Sequence, residues 1–414
     1  MTAPKTCPVA GVKEVDFNSP EFQQGFKQIY TDMHAAGCPF AHSAPGDHYA
    51  VASHQHVVEA LVKPKLWRSK YGPGLIYQPE DTPGVLVSVD PPEHTFEAKV
   101  AGRAFSKVYF DSFIPKMQEW LDRTIDGFYA DGRVDMHKAV SEAFPLFVIF
   151  DMFGIPIGDR TELFRSEIKR GVGAMLIPGD FRSIDMSAAR PYSYQMFNDH
   201  LEDCKAKLAS GEFEPGENLV TRFLTTTGDD GSRLSDEKIM GFCNFLLAAG
   251  SATTTILLSN LIYRLLSEPE ELAKVKADPE LIPLAIEEAL RIDAPVQGLF
   301  RTNDEETDLG PLHLQKDTKV MMLWAGANLD PTVFEEPLKY SLDRDPAVVR
   351  KHVAFGYGIH ICRGAPLARL EAKLFLETLL RRLPNLRIAG EVRPELSMPV
   401  LQGIAELPLA WDVA

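Results

Sequence analysis

The sequence predicts a mainly α-helical protein carrying small β-sheets, and three observations predict it. First, residues 235–267 read as one uninterrupted helix. Ser235 can cap it, Asp236 and Glu237 occupy its first turn, and no proline appears before Pro269. Roughly 32 residues at 1.5 Å each make it roughly 48 Å long, enough to cross a whole domain. Second, helical text fills most of the chain between Phe110 and Thr227, near 114–130, 139–152, 159–172 and 188–209. Third, strand-like text is confined to short pieces, near 48–52 and within 312–324.

Taken in order, 19–36 reads as a helix, and 48–52 as a strand before a helix near 54–62. Residues 67–88 are irregular and rich in Gly and Pro, yet carry Leu75, Ile76, Tyr77, Val85, Leu86 and Val87. A loop with so many apolar side chains is either a functional lid or a segment packed onto the domain. Asp90-Pro91-Pro92-Glu93-His94 then opens a helix reaching about Phe105. Met175-Leu176-Ile177-Pro178-Gly179 breaks the helical pattern, and Asp229-Asp230-Gly231 is a surface turn with no evident chemistry. The long helix has a middle of small residues and poor helix formers, Ala248-Ala249-Gly250-Ser251-Ala252-Thr253-Thr254-Thr255. That composition suits close helix–helix packing. In the next helix, 282–292, Glu288 and Arg291 share a face, a spacing that by itself stabilises a helix only slightly.

Composition narrows the function. A net charge of −15 argues against nucleic acid as a main partner. The five cysteines, Cys7, Cys38, Cys204, Cys243 and Cys362, are odd in number and scattered, which is no disulfide framework and suits a reducing cytoplasm. Residues 1–20 lack a basic flank followed by an apolar run, so neither a signal peptide nor an anchor is expected there. The most membrane-like window, 242–266, contains Asn244, Ser251, three consecutive threonines, Asn260 and Arg264. A buried core helix fits it better than a span.

The sharpest chemical signal is Phe355-Gly-Tyr-Gly-Ile-His-Ile-Cys-Arg-Gly364. Gly356, Gly358 and Gly364 supply backbone that can approach a flat ligand closely. Directly after it a helix begins, with Pro366 in its first turn and Arg381 and Arg382 in its last. A cysteine at a helix N-terminus is biased towards thiolate by free N–H groups and the helix dipole, and a thiolate is a good axial ligand for haem iron. A lone buried cysteine would more simply be a small hydrophobe. Here Phe355-x-x-Gly358-x-His360-x-Cys362-x-Gly364 resembles the haem-binding signature of cytochromes P450 at every fixed position.

The resemblance extends from about Asp90 to the C-terminus through five ordered segments. It implies a single cytochrome P450 domain over 1–414, of the soluble bacterial type. It also implies a monooxygenase that inserts one atom of O2 into an organic substrate, with heme b held by Cys362 as its iron-binding (metal) ligand. Electrons are expected from a separate ferredoxin, because no flavin or iron–sulfur domain follows residue 414. His94, Arg301 and His360 match residues that meet the haem propionates, and Phe355 and Gly364 are fixed positions of the loop. The family's arginine four residues after the histidine is Ala98 here, beside Lys99. Ala249-Gly250-x-x-Thr253-Thr254 matches the oxygen groove, with Thr253 handling oxygen and protons, but the usual acid before the threonine is Ala252. An alanine cannot pass a proton, so proton supply is expected to limit turnover, with the hydroxyls of Ser251, Thr253 and Thr254 ordering water. Glu288 and Arg291 match the family's buried pair, which holds the segment around Asp343-Arg344.

Phe245, Ala248, Ala249, Val296, Leu299, Val400 and Leu401 are the expected pocket walls, the last two at the tip of a C-terminal hairpin. No lysine or arginine falls among them, so an uncharged, apolar substrate is expected. The Met175–Gly179 break is either an ordinary turn or the roof of that pocket. Lys99, Arg103, Lys107, Arg350, Lys351, Arg363, Arg369 and Lys373 flank the cysteine side, forming either a solvated face or a dock for an acidic ferredoxin. Two rivals share the fold: a peroxygenase using H2O2, whose Arg-Pro pair in the groove is Ser251-Ala252 here, and a non-enzymatic haem sensor or carrier.

Overall fold

The computed structural model describes residues 12–75, 84–158, 160–173, 191–398 and 400–413. Its spine is the helix Asp236–Ser267, whose Ser235 side chain accepts from the Lys238 N–H, as the sequence predicts. By length and composition this helix could cross a membrane. Here it is a core element: Ala143–Phe153, Pro191–Ser210, Ile282–Ile292 and Ala365–Arg382 pack along it. Residues 254–262 are buried without interruption, whereas Phe245, Ala248, Ala249, Gly250, Ala252 and Thr253 are half-buried. The middle of the helix therefore faces a cleft.

Both readings of the small residues hold, at different positions. A Cβ at Gly250 would stand 2.6 Å from Ile149 Cδ1, so this glycine lets Ala143–Phe153 close onto the spine. The alanines and Thr253 line the open side.

The principal sheet has six strands. Phe40–Ser43 and His48–Val51 form an antiparallel pair, and His48–Val51 runs parallel to Lys319–Met322. Leu299–Asn303 lies antiparallel to Lys319–Met322, pairing Leu299 with Met322 and Arg301 with Val320. Alternation puts Leu299 and Arg301 on one face and Phe300, fully buried, on the other. Arg393–Glu395 and Gly403–Glu406 make the C-terminal hairpin.

Two elements differ from expectation. The helix expected over 139–152 opens with a π turn, His137–Ser141, before Ala143–Phe153. The text of 312–324 holds two strands, Leu312–Leu314 and Lys319–Met322, and then turns into a short helix, Trp324–Ala327. In the apolar loop, Leu75 and Leu86 are buried, the Leu86 N–H donates to Glu97 Oε2 at 2.6 Å, and Val85 fills the space beside Gly241. That described part is packed down; Ile76, Tyr77 and the Met175–Gly179 break lie outside the described residues.

Candidate active site

The cysteine loop is built by close backbone approaches. The Cys362 N–H donates to the Phe355 carbonyl at 2.9 Å, closing the loop. Gly356 and Gly358 both have positive φ, +70° and +71°. A Cβ at Gly358 would lie 2.3 Å from the Leu61 carbonyl oxygen, so no side chain fits there. Phe355 is capped by the Arg369 guanidinium, 4.5 Å from its ring, and Arg369 is held by Glu287 at 2.5 and 2.9 Å.

Cys362 is accessible on one side, with its sulfur accepting from the N–H groups of Gly364 and Ala365. Burial pushes the Cys362 thiol above its ordinary range, outweighing those two N–H groups and the charge of Arg369. Dense surrounding protein disfavours any charged form, and helix-end N–H groups offset only part of that cost. A bound cation would supply the rest.

Beside the loop, the rings of His94 and His360 stand 4.2 Å apart, and His360 Nε2 lies 3.1 Å from Ser69 Oγ. Burial, then the charges of Arg301 and His94, push the His360 pKa down to about 2. Burial and the Arg363 charge also lower His94. Arg301 is buried, donates to the Phe300 carbonyl at 2.8 Å, and has no carboxylate partner among the described residues. Burial lowers its pKa to about 10 despite the pull of Asp90. Three donor-bearing side chains thus converge with Asp90 nearby but no carboxylate hydrogen-bonded to any of them among the described residues, which suits a ligand bearing carboxylates.

Position 98 adds no charge. Ala98 is buried, and neighbouring Lys99 is committed to Asp229 at 2.5 Å, as is Arg103 at 2.7 Å. The Asp229 turn, which showed no chemistry in the sequence, therefore neutralises part of the basic cluster. Lys107 and Lys373 are likewise paired, with Asp111 and Glu377. Arg350, Lys351 and Arg363 are exposed and have no carboxylate partner among the described residues.

Across the cleft, Thr253 Oγ1 donates to the Ala249 carbonyl at 2.8 Å, and Ser251 Oγ donates to the Leu247 carbonyl. Thr254 is buried; Thr255, not Thr254, reaches the cavity beside Ala252. At the hairpin tip, Val296 bridges Leu401 and the Gln297 N–H donates to the Val400 carbonyl at 2.8 Å. This sets Val400 and Leu401 against the strand carrying Leu299. Charged groups do approach the groove: Arg165 and Lys169 line the cavity beside Ala252, paired with Glu142 and Glu395. No motif marks them in the sequence, because they come from ordinary amphipathic text brought in by tertiary packing.

Glu288 and Arg291 are wholly buried and joined by two bonds of 2.8 Å. Arg291 also donates to the carbonyls of Asn328, Pro337 and Lys339 at 3.1, 2.8 and 3.1 Å. Glu288 accepts from Arg344 at 3.2 Å and from the Ser341 N–H at 3.3 Å. One pair thus pins the whole 328–344 segment.

Comparison with known proteins agrees with this arrangement. The cytochrome P450 family model matches residues 15–399. The chain is 33% identical to cytochrome P450 monooxygenase PikC of Streptomyces venezuelae, over 79% of this chain and 76% of PikC. It is 30% identical to the vitamin D(3) 25-hydroxylase of Pseudonocardia autotrophica, over 92% and 91% of the two chains. The structure of CYP109E1 from Bacillus megaterium in complex with testosterone superposes with a TM-score of 0.79. It is 28% identical, covering 93% of this chain and 99% of that one. The chain belongs to the cytochrome P450 family. It has the P450 fold and is an oxidoreductase of the monooxygenase class.

Proposed function

We propose that this single-domain protein is a cytoplasmic haem-thiolate monooxygenase acting on uncharged, apolar organic substrates, with electrons from a separate ferredoxin. The observation that carries the reading is the cysteine loop: an accessible sulfur held by two N–H groups, beside the buried Arg301, which has no hydrogen-bonded carboxylate among the described residues. Those residues fit heme b. Cys362 would hold its iron, and Arg301, His94 and His360 its propionates. Arg363, whose charge acts on His94, is a further candidate where Ala98 replaces the family's arginine. When bound, a thiolate-ligated haem supplies O2 activation and O–O cleavage.

The chain's own residues would do the rest. Thr253 would hold and move protons at Oγ1, next to Gly250 and Ala252, while Phe245, Ala248, Ala249, Val296, Leu299, Val400 and Leu401 exclude water and orient the substrate. The names of two relatives, with vitamin D(3) and testosterone, support an apolar polycyclic class. The charged side chains nearest the groove are paired, leaving none free among the described groove residues to anchor a carboxylate.

The test supplies haem-loaded protein with ferredoxin, its reductase, NADPH and 18O2. Testosterone and vitamin D3 are the probes, screened first for a low-to-high-spin shift. A shifting probe should gain one 18O atom, and the rate of haem reduction should fall with added salt and in Lys351→Glu. The same product from H2O2 alone, with none from NADPH, would mark a peroxygenase. A spin shift without NADPH consumption would mark a carrier.

A further inference from the structure

On the face of the central helix that carries Ser251, Ala252 and Thr255 lies a cavity with about 40 Å³ of room for solvent, lined also by His137, Glu142 and Arg165. At about 10–15 Å³ for each water, it holds roughly three. Its far wall is a buried polar chain. Ser259 Oγ lies 2.9 Å from His137 Nδ1, and His137 Nε2 lies 3.2 Å from Glu142 Oε1. The Glu142 side chain is only 6% exposed and is paired with Arg165. Arg165 in turn donates to Glu162, 80% exposed, at 2.8 Å. Glu142 is therefore one side chain from bulk solvent and one cavity from Ala252. In its wall Arg165 Nε is buried without a hydrogen-bond partner, and so is Ser141 Oγ on the residue before Glu142. Buried polar atoms are satisfied by protein or by water, so these atoms call for water.

We propose that Glu142, acting through water in this cavity, is the proton donor that replaces an acid at position 252. The inference rests on the haem monooxygenase reading above. The Glu142 carboxylate takes up a proton from solvent on the Arg165–Glu162 side and hands it to a cavity water, which passes a proton to Thr253 Oγ1. Thr253 turns its hydroxyl away from the Ala249 carbonyl and releases that proton into the cleft, and Glu142 is a carboxylate again. No electron moves in this relay; the ferredoxin supplies those separately. Thr253 is suited to the step, because its hydroxyl donates to Ala249 and keeps its lone pairs free to accept. Shortening the side chain at 252 to a methyl also leaves the space the waters need. The relay is longer than one with an acid beside the threonine, which agrees with proton-limited turnover.

Two readouts test this. A high-resolution crystal structure of the holoprotein should show ordered water bridging Glu142 to Ser251 or Thr255; a dry cavity overturns the proposal. In turnover with a spin-shifting probe, Glu142→Gln should cut product per NADPH by about 10²-fold, the lower end of general acid–base effects, and release peroxide instead. Adding Ala252→Asp to Glu142→Gln should restore coupling, which a merely structural role for Glu142 would not allow. The neutral double variant Glu142→Gln/Arg165→Met guards against a folding defect. It should stay uncoupled, and recovery there would show that only the broken ion pair mattered. Failure of the monooxygenase reading looks different: the unsubstituted protein would consume no NADPH with O2.

Discussion

Arg291→Ala protein is expected to emerge without haem and to lose its cooperative thermal transition. Arg291 is fully buried against Glu288 and also satisfies three carbonyls of the 328–344 segment. Removing it leaves the Glu288 carboxylate buried with Arg344 as its remaining charged partner, 3.2 Å away. Breaking one side of a buried pair costs about 3–5 kcal/mol. Whole proteins are stable by only about 5–15 kcal/mol, so this one change consumes much of the margin. Arg291→Lys should rescue little, because a lysine cannot reach a carboxylate and three carbonyls from one planar fork. Circular dichroism melting with haem quantification checks this. A folded, haem-replete Arg291→Ala protein would remove the structural role.

Gly358→Ala should be nearly as damaging, but at the site rather than in the fold. The residue has φ +71°, where a side chain costs about 1–2 kcal/mol. The added methyl would also meet the Leu61 carbonyl oxygen at 2.3 Å and its carbon at 3.1 Å. Both are backbone atoms and cannot rotate aside, so the 356–362 loop must move. The expected result is a protein that melts as a folded domain but has lost most of its haem. Gly127→Ala is the control: it lies in the helix Ile114–Phe128 with nothing within 4 Å of an added Cβ. It should stabilise by roughly 0.5–1 kcal/mol. Equal haem content in both variants would contradict the close-approach argument.

What the sequence made legible was local chemistry. The spine helix announced itself through Ser235 and Pro269, and the cysteine loop through its glycines, because caps and turns are decided by neighbouring residues. Arg301 could be placed only through the family resemblance, since nothing around it in sequence predicts burial. The rest depends on long-range packing. Burial by surrounding protein pushes the Cys362 thiol up against the two N–H groups that pull it down, a balance the helix-end argument alone could not weigh. Lys99 and Arg103 read as a free basic face until Asp229, far along the chain, folds back onto them. His137 and Glu142, from one turn, and Arg165, from the helix Thr161–Gly173, become a site only because they meet behind Ala252.

The most direct measurement is the absorption spectrum of the reduced, haem-loaded protein under CO. If Cys362 binds iron as a thiolate, the Soret band is red-shifted in the unsubstituted protein, and Cys362→His moves it to the shorter wavelength of an imidazole-ligated haem. A red-shifted band that survives Cys362→His, or its absence from the unsubstituted holoprotein, would contradict the account.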